Sequence, residues 1–346
     1  MTIERFILEQ PAVLEAVLRD VPPQLAALGS LRPVQAIRLV GSGTSLNALL
    51  AVAPLLARSP AAEVRTQGPL AFLEEAAMGR QGGLTILLSQ TGTSTTTVEA
   101  VQRAQALGGS VWTLTAARRS PLAKIARQIV EIPVGPEPVG PKTKGYTASV
   151  LALILAARAL AGDRLDIGGY LADLARLIGA SREVAAGLAD RHGESDLFLV
   201  MGQGRHYTTA LEGSLKITEM GGLAAAGFDT EEAFHGRFHG LGPTSVALFV
   251  AGTLAQHAMA TQGAAVLSDL GVPCYVLNLA AGRPGHHDLA LPWPATAHAP
   301  ELDLISAIVP FQCLATELAR RRGWPPERMR YPDLSQRLRI KIGEAG

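Results

Sequence analysis

Hydroxyl side chains crowd the stretch Leu88-Ser89-Gln90-Thr91-Gly92-Thr93-Ser94-Thr95-Thr96-Thr97, directly after an apolar run and before a helical pattern. Unpaired backbone N–H groups at a helix start favour an anion, and the hydroxyls of Ser89, Thr91, Thr93 and Ser94 add donors. Gly92 allows the backbone to come close to a ligand. The loop holds no lysine, so it is not a Walker loop, and a monophosphate fits better than a nucleoside triphosphate. Ordinary helix capping is the competing explanation, but a cap uses one hydroxyl and this stretch offers many.

Three further groupings could carry chemistry. Gly41-Ser42-Gly43-Thr44-Ser45 ends the first apolar run, where open α/β sheets bind ligands, but it lacks the third glycine of a dinucleotide fingerprint. Taken alone it is equally a plain tight turn. Glu212, Lys216 and Glu219 follow at i, i+4 and i+7, so they share one helix face. On an isolated helix that pattern is expected to be a solvated, salt-bridged stripe; in a cleft it is a carboxylate tuned by a lysine for proton transfer. His235 and His239 are each followed by glycine, which argues against a continuous helix and against a zinc-binding face. A histidine in such a loop suits proton transfer, although a lone histidine is more often an ordinary surface residue. No metal and no cofactor is expected.

The elements that must hold these residues follow from the apolar patterning. Short apolar runs at 34–40, 62–66, 84–88, 111–115 and 129–134 alternate with helical stretches, including 46–56 and 96–107. This predicts βαβ units and a mostly parallel sheet covered on both faces by helices, a doubly wound, flavodoxin-like α/β fold. After a helix-rich stretch from 146 to 190 the pattern returns. Runs at 197–201, 246–251, 274–279 and 289–293 read as strands, and 209–220 as a helix. Strand–Gly-x-Gly–helix openings at Gly41 and Gly202 indicate an internal duplication of architecture. The predicted organisation is N-terminal helices over 1–30, a first domain over 31–165, a second over 166–322, and a tail over 323–346 that wraps over the body.

Composition excludes several classes. The 346 residues carry a net charge of +1, with 31 basic against 30 acidic side chains, so no whole-molecule field attracts nucleic acid or an anionic membrane. Aromatics are 5%, too few for a base-stacking surface. The longest apolar run, 150–157, stops at Arg158, short of a membrane span. Cys274 and Cys313 form no metal motif and read as reduced core thiols. The N-terminus lacks the pattern of a signal peptide, so the cytoplasm is the expected compartment.

Taken in order, these motifs resemble the double-domain sugar isomerase (SIS) family: the isomerase half of glucosamine-6-phosphate synthase, amino-sugar-phosphate deaminases and fructosamine-phosphate deglycases. Gly43-Thr44-Ser45 matches the family's opening Gly-Thr-Ser turn, and Ser89 to Ser94 its Ser-Gln-Ser-Gly-Glu-Thr phosphate loop, with Thr93 in place of the glutamate. Glu137-Pro138-Val139-Gly140-Pro141-Lys142-Thr143-Lys144 resembles the family's Glu-x-x-Val-Ala-Ser-Thr-Lys segment, with Lys142 where a small residue is usual. Ala210 to Glu219 matches Ala-Leu-Glu-Gly-Ala-Leu-Lys-x-x-Glu. The resemblance implies Glu219 as catalytic carboxylate, Lys216 as its lysine, and His235, sixteen residues further on, as the catalytic histidine.

Arg237 stands where the family has proline, and the Leu-x-Lys tail that closes the site is Leu334-Ser335-Gln336-Arg337 here. Gly43, Thr44, Ser45, Ser89, Gln90, Thr91, Ser94, Glu137, Gly140 and Lys142 are the implied phosphate and sugar ligands. The histidine loop is often shared between subunits in the family, which implies a homodimer with a sugar phosphate as its only other partner. With no glutaminase domain ahead of the isomerase half, full synthesis from glutamine is not expected. Three activities stay open: an enzyme releasing an amine from an amino-sugar or glycated-amine 6-phosphate, a simple phosphosugar isomerase, and a non-catalytic phosphosugar sensor.

Overall fold

The computed structural model describes residues 2–29, 36–57, 63–78, 83–280, 282–296 and 299–342. Val34 and Ala62, the expected openings of two strands, lie outside the described residues, as does Met1. The chain divides into two compact units. One gathers Ala12–Glu137, Lys144–Leu165 and Tyr331–Gly346; the other gathers Met1–Pro11, Pro138–Thr143 and Asp166–Arg330.

The first of these units is built on a parallel five-stranded sheet: β1 (Ala36–Val40), β2 (Glu63–Gln67), β3 (Leu84–Leu88), β4 (Ser110–Thr115) and β5 (Ile129–Glu131). Their order is β2-β1-β3-β4-β5. Every residue of the central β3 is buried, as a strand covered by helices on both faces must be. Val40, Phe72, Leu87, Val101 and Leu122 are part of one of its apolar layers. The second unit holds a parallel sheet of β6 (Leu197–Gly202), β7 (Ala224–Asp229), β8 (Ser245–Ala251) and β9 (Cys274–Asn278), in the order β7-β6-β8-β9. All of β8 is buried, and its Phe249 packs with Met201, Ala264 and Val276. Two parallel sheets flanked by helices are the architecture that the patterning predicts.

One prediction from the apolar pattern needs correction, and one strand escaped it. Residues 289–293 form no strand; a single parallel bridge joins Val276 to Asp288. Pro292 and Pro294 lack the N–H groups a ladder requires. Strand β7, in contrast, carries Ala224-Ala225-Ala226-Gly227, which has almost no β-forming side chains. Its place is set by packing: a Cβ at Gly227 would lie 2.6 Å from the Ala210 carbonyl oxygen, so only glycine lets the helix His206–Gly221 lie this close.

Among the described residues, two helical stretches, Lys144–Ala161 and Pro300–Arg321, are long and apolar enough to cross a membrane by length and composition. Most of each is buried inside the protein, 78% and 94%, as in the core helices of a folded unit.

Candidate functional site

In the first unit the chain runs from β1 to β2 on one side and from β3 to β4 on the other. The direction of winding therefore reverses between β1 and β3, the position where open α/β sheets take their ligands. The turn after β1 holds Gly43 at φ 56, as N-cap of the helix Thr44–Leu56. Thr44 and Ser45 open that helix. Asn47 N–H donates to the Gly43 carbonyl at 3.0 Å.

The loop after β3 is tightly specified. Ser89 N–H still donates to Leu114 O at 3.1 Å, so the ladder runs into the loop. Gly92 has φ 62, and a Cβ there would lie 2.0 Å from Ser120 Oγ; glycine is required for backbone and for space. The Thr91 and Thr93 hydroxyls lie 2.9 Å apart. Ser94 occupies the N-cap of the helix Thr95–Ala106, yet its side chain makes no capping bond to that helix. Thr97 Oγ1 donates to Ser94 Oγ at 2.9 Å. The hydroxyls thus bond to one another and are not consumed as a cap.

Gln90 and Glu137 form a separate knot. Gln90 Nε2 donates to Glu137 Oε2 at 3.2 Å, and Gly145 N–H donates to the same oxygen at 3.2 Å. A Cβ at Gly145 would lie 1.5 Å from Gln90 Nε2.

The tail belongs to this unit and reaches the loop. Thr95 N–H donates to Ile340 O at 3.2 Å, and Ile342 N–H donates to Thr93 O at 2.7 Å. Ser94 and Lys341 face each other as an antiparallel bridge. Gln336 and Arg337 lie on the short helix Leu334–Arg337, both exposed.

In the second unit the helix His206–Gly221 carries Glu212, Lys216 and Glu219. The expectation of a solvated stripe is wrong: Lys216 and Glu212 are both fully buried, and only Glu219 is partly open, at 23%. Lys216 Nζ lies 2.5 Å from Glu219 Oε2 and 3.2 Å from Glu212 Oε1. Burial alone would push the lysine pKa down. The two carboxylates outweigh it and hold the ammonium above its ordinary value. Gly213 lets the Phe311 ring seal this helix, since a Cβ there would lie 2.8 Å from the ring.

The helix Thr230–Phe234 ends at His235, and Gly236 at φ 120 breaks it, as the glycine spacing predicts. His235 and His239 are exposed. Phe234 and Phe238 anchor the loop, their rings 5.3 Å apart, and Phe238 meets Phe249 edge-on. Arg237 places its guanidinium 4.4 Å above the Phe228 ring, which gives the non-proline residue a holding role. Gly140 and Lys142 belong to this unit. Lys142 Nζ donates to Val139 O at 2.7 Å, and Gly140 lies against Met329.

The second sheet has its own reversal, between β6 and β8, but its loop is closed. Gly252 N–H donates to Gln256 Oε1 at 2.9 Å, and the Thr253 hydroxyl caps Gln256 N–H at 3.2 Å. Gln256 Nε2 donates to Gln203 O at 3.3 Å. The chain's own amide thus bridges the two loops at this reversal. Among the described residues no group of three or more His, Cys, Asp or Glu side chains could hold a metal ion.

Residues 30–159 match the family model for the SIS domain. This segment is a SIS domain. The chain is 29% identical to a glutamine–fructose-6-phosphate aminotransferase (isomerizing) of Pyrococcus horikoshii, over 94% of this chain and 55% of that protein. It thus spans about half the length of the curated relatives it matches. A solved structure from Clostridium difficile, provisionally designated a phosphosugar isomerase, superimposes with a TM-score of 0.88 at 20% identity, covering 99% of each chain. Glucosamine-6-phosphate deaminase from Thermotoga maritima gives 0.75 at 19% identity, over 96% of this chain and 98% of that one. At such identities the structural likenesses establish the fold, and both units have it.

Sequence reasoning missed three features of this chain: Glu212 as a buried member of the lysine's cage, the pairing of the tail with the loop, and the glutamine that closes the second turn. Glu212 had a signal in its i, i+4 spacing to Lys216; backbone pairing by residues 340–342 leaves none.

Proposed function

We propose that this chain is a phosphosugar aldose–ketose isomerase-type enzyme acting on an amino-sugar or glycated-amine 6-phosphate with release of the amine. The observation that carries the reading is the buried Lys216 held between Glu212 and a partly open Glu219, at the positions of the family's lysine and catalytic glutamate. A partly open carboxylate fixed by a caged cation is placed to take and return a carbon-bound proton.

The roles follow. His235 opens the sugar ring. Glu219 carries the proton between C1 and C2, and Lys216 holds that carboxylate in place. The 89–94 loop, with Gly43, Thr44 and Ser45, grips the phosphate, so that binding energy remote from the reacting carbons positions them. Glu137 orders Gln90 within the grip. Gly140 and Lys142 contribute to sugar recognition, and Gln336 and Arg337 belong to the closing tail. The active form is a homodimer in which the 235–239 loop serves the partner's site. Two buried free thiols, Cys274 and Cys313, suit a reducing cytoplasm.

Gln336, in place of the tail lysine, favours a second reading: a simple phosphosugar isomerase without amine chemistry, because an amide cannot act as an amine. One assay separates the two. Glucosamine 6-phosphate, fructosamine 6-phosphate and fructose 6-phosphate are each supplied, and released amine and interconverted sugar are both measured. Glu219→Gln is expected to abolish turnover of whichever substrate reacts while leaving its binding intact. Turnover retained in that variant removes Glu219 from the reaction.

A further inference from the structure

The phosphate grip carries no charged side chain of its own. The 89–94 loop contains no basic residue. Its following helix starts at Thr95, whose N–H is one of the groups an anion would use. That N–H is already taken by Ile340 O from the tail. The loop therefore lacks a cation and has surrendered one of its donors to the segment paired with it.

The same pairing brings a compensation. Thr95 N–H to Ile340 O and Ile342 N–H to Thr93 O flank the pair Ser94–Lys341, which makes it a non-hydrogen-bonded antiparallel pair. Residues opposite each other in such a pair have Cα atoms about 4.5 Å apart and side chains on one face. The Lys341 side chain thus leaves the backbone on the face from which Ser94 presents its hydroxyl. Arg339 stands just before, at φ 54, a left-handed conformation that few residues other than glycine adopt. The turn it makes precedes the residues that pair with the loop, and Thr95 Oγ1 donates to its carbonyl at 3.3 Å.

We propose that Lys341 is the cation of the phosphate site, delivered to the 89–94 loop by strand pairing and not by the loop's own sequence. The inference rests on the reading of that loop as the phosphate grip. It makes Lys341 a positioning and affinity residue for the phosphorylated end of the substrate, with no part in the chemistry at C1 and C2. A point charge on a flexible stem fits a dianionic phosphate better than a neutral sugar hydroxyl.

Calorimetric titration of the full chain with inorganic phosphate and with fructose 6-phosphate tests it. Lys341→Gln is expected to weaken both about tenfold, the size of one charge-assisted contact, while Lys341→Arg stays within about threefold of the original. Arg119, exposed on the loop after β4, is the control for a general field effect, and Arg119→Gln is expected to change neither titration by more than about twofold. Thr91→Val reports on the grip itself. If Thr91→Val loses phosphate and Lys341→Gln does not, the inference fails and the phosphate loop stands. If the unmodified chain binds neither inorganic phosphate nor fructose 6-phosphate, both fall. Equal losses in Arg119→Gln and Lys341→Gln also overturn the assignment. Lys341 is exposed, so its variants keep the fold, which circular dichroism melts confirm when the midpoints coincide.

Discussion

Lys216 is the residue on which the proposed chemistry and the local stability meet. An ammonium with no exposed surface is tolerable only because two carboxylates bracket it. Its pKa is raised on folding, so its contribution is complete below the ordinary lysine value and is lost only as pH rises through the higher folded value. Lys216→Met, which leaves the carboxylates facing each other, is expected to cost about 3 kcal/mol in chemical denaturation. The difference from the original chain should hold constant between about pH 7 and pH 10, since that range lies below the lysine's titration. A gap that closes within it would show that the pair is weaker than its geometry suggests. The positions of Lys216 and Glu219 were legible from residue types and spacing. Their burial was not, because i, i+4, i+7 describes a solvated stripe equally well; what covers the helix, Phe311 against Gly213 among it, is remote in sequence.

At the scale of elements, the two sheets share a plan but differ at one turn. Both reverse direction between their second and third strands in spatial order. In one unit that reversal leads into the 89–94 loop; in the other, Gln256 ties Gly252 to Gln203, and the Thr253 hydroxyl caps the Gln256 N–H of the helix Leu254–Asp269. Titration with a sugar phosphate should accordingly saturate at one ligand per chain, and a second equivalent of similar affinity would contradict the closed turn. The strands themselves were readable wherever their residues were apolar and branched, as in Leu84-Thr85-Ile86-Leu87-Leu88. Strand β7 was not, since alanine and glycine specify no local structure and their small size matters only against the Ala210 backbone. The tail's pairing was hidden for a related reason: backbone hydrogen bonds leave no trace in side-chain pattern.

For the whole molecule, the exposed His235 loop is where the proposed homodimer can be examined. Glu219→Gln and His235→Ala are each expected to be inactive. If the histidine serves the partner's site, mixing the two and allowing subunits to exchange should restore about a quarter of the original activity, because half the dimers are mixed and each holds one intact site. No recovery after verified exchange would keep the histidine within its own chain.

One contact in the first unit has a mechanical meaning. The Gln90 amide lies so close to Gly145 that no side chain could stand between them, and Glu137 bonds to both. Gly145 is in the first turn of the helix Lys144–Ala161, which is buried along most of its length. The loop therefore has a backstop: Gln90 cannot move toward the helix without displacing buried backbone.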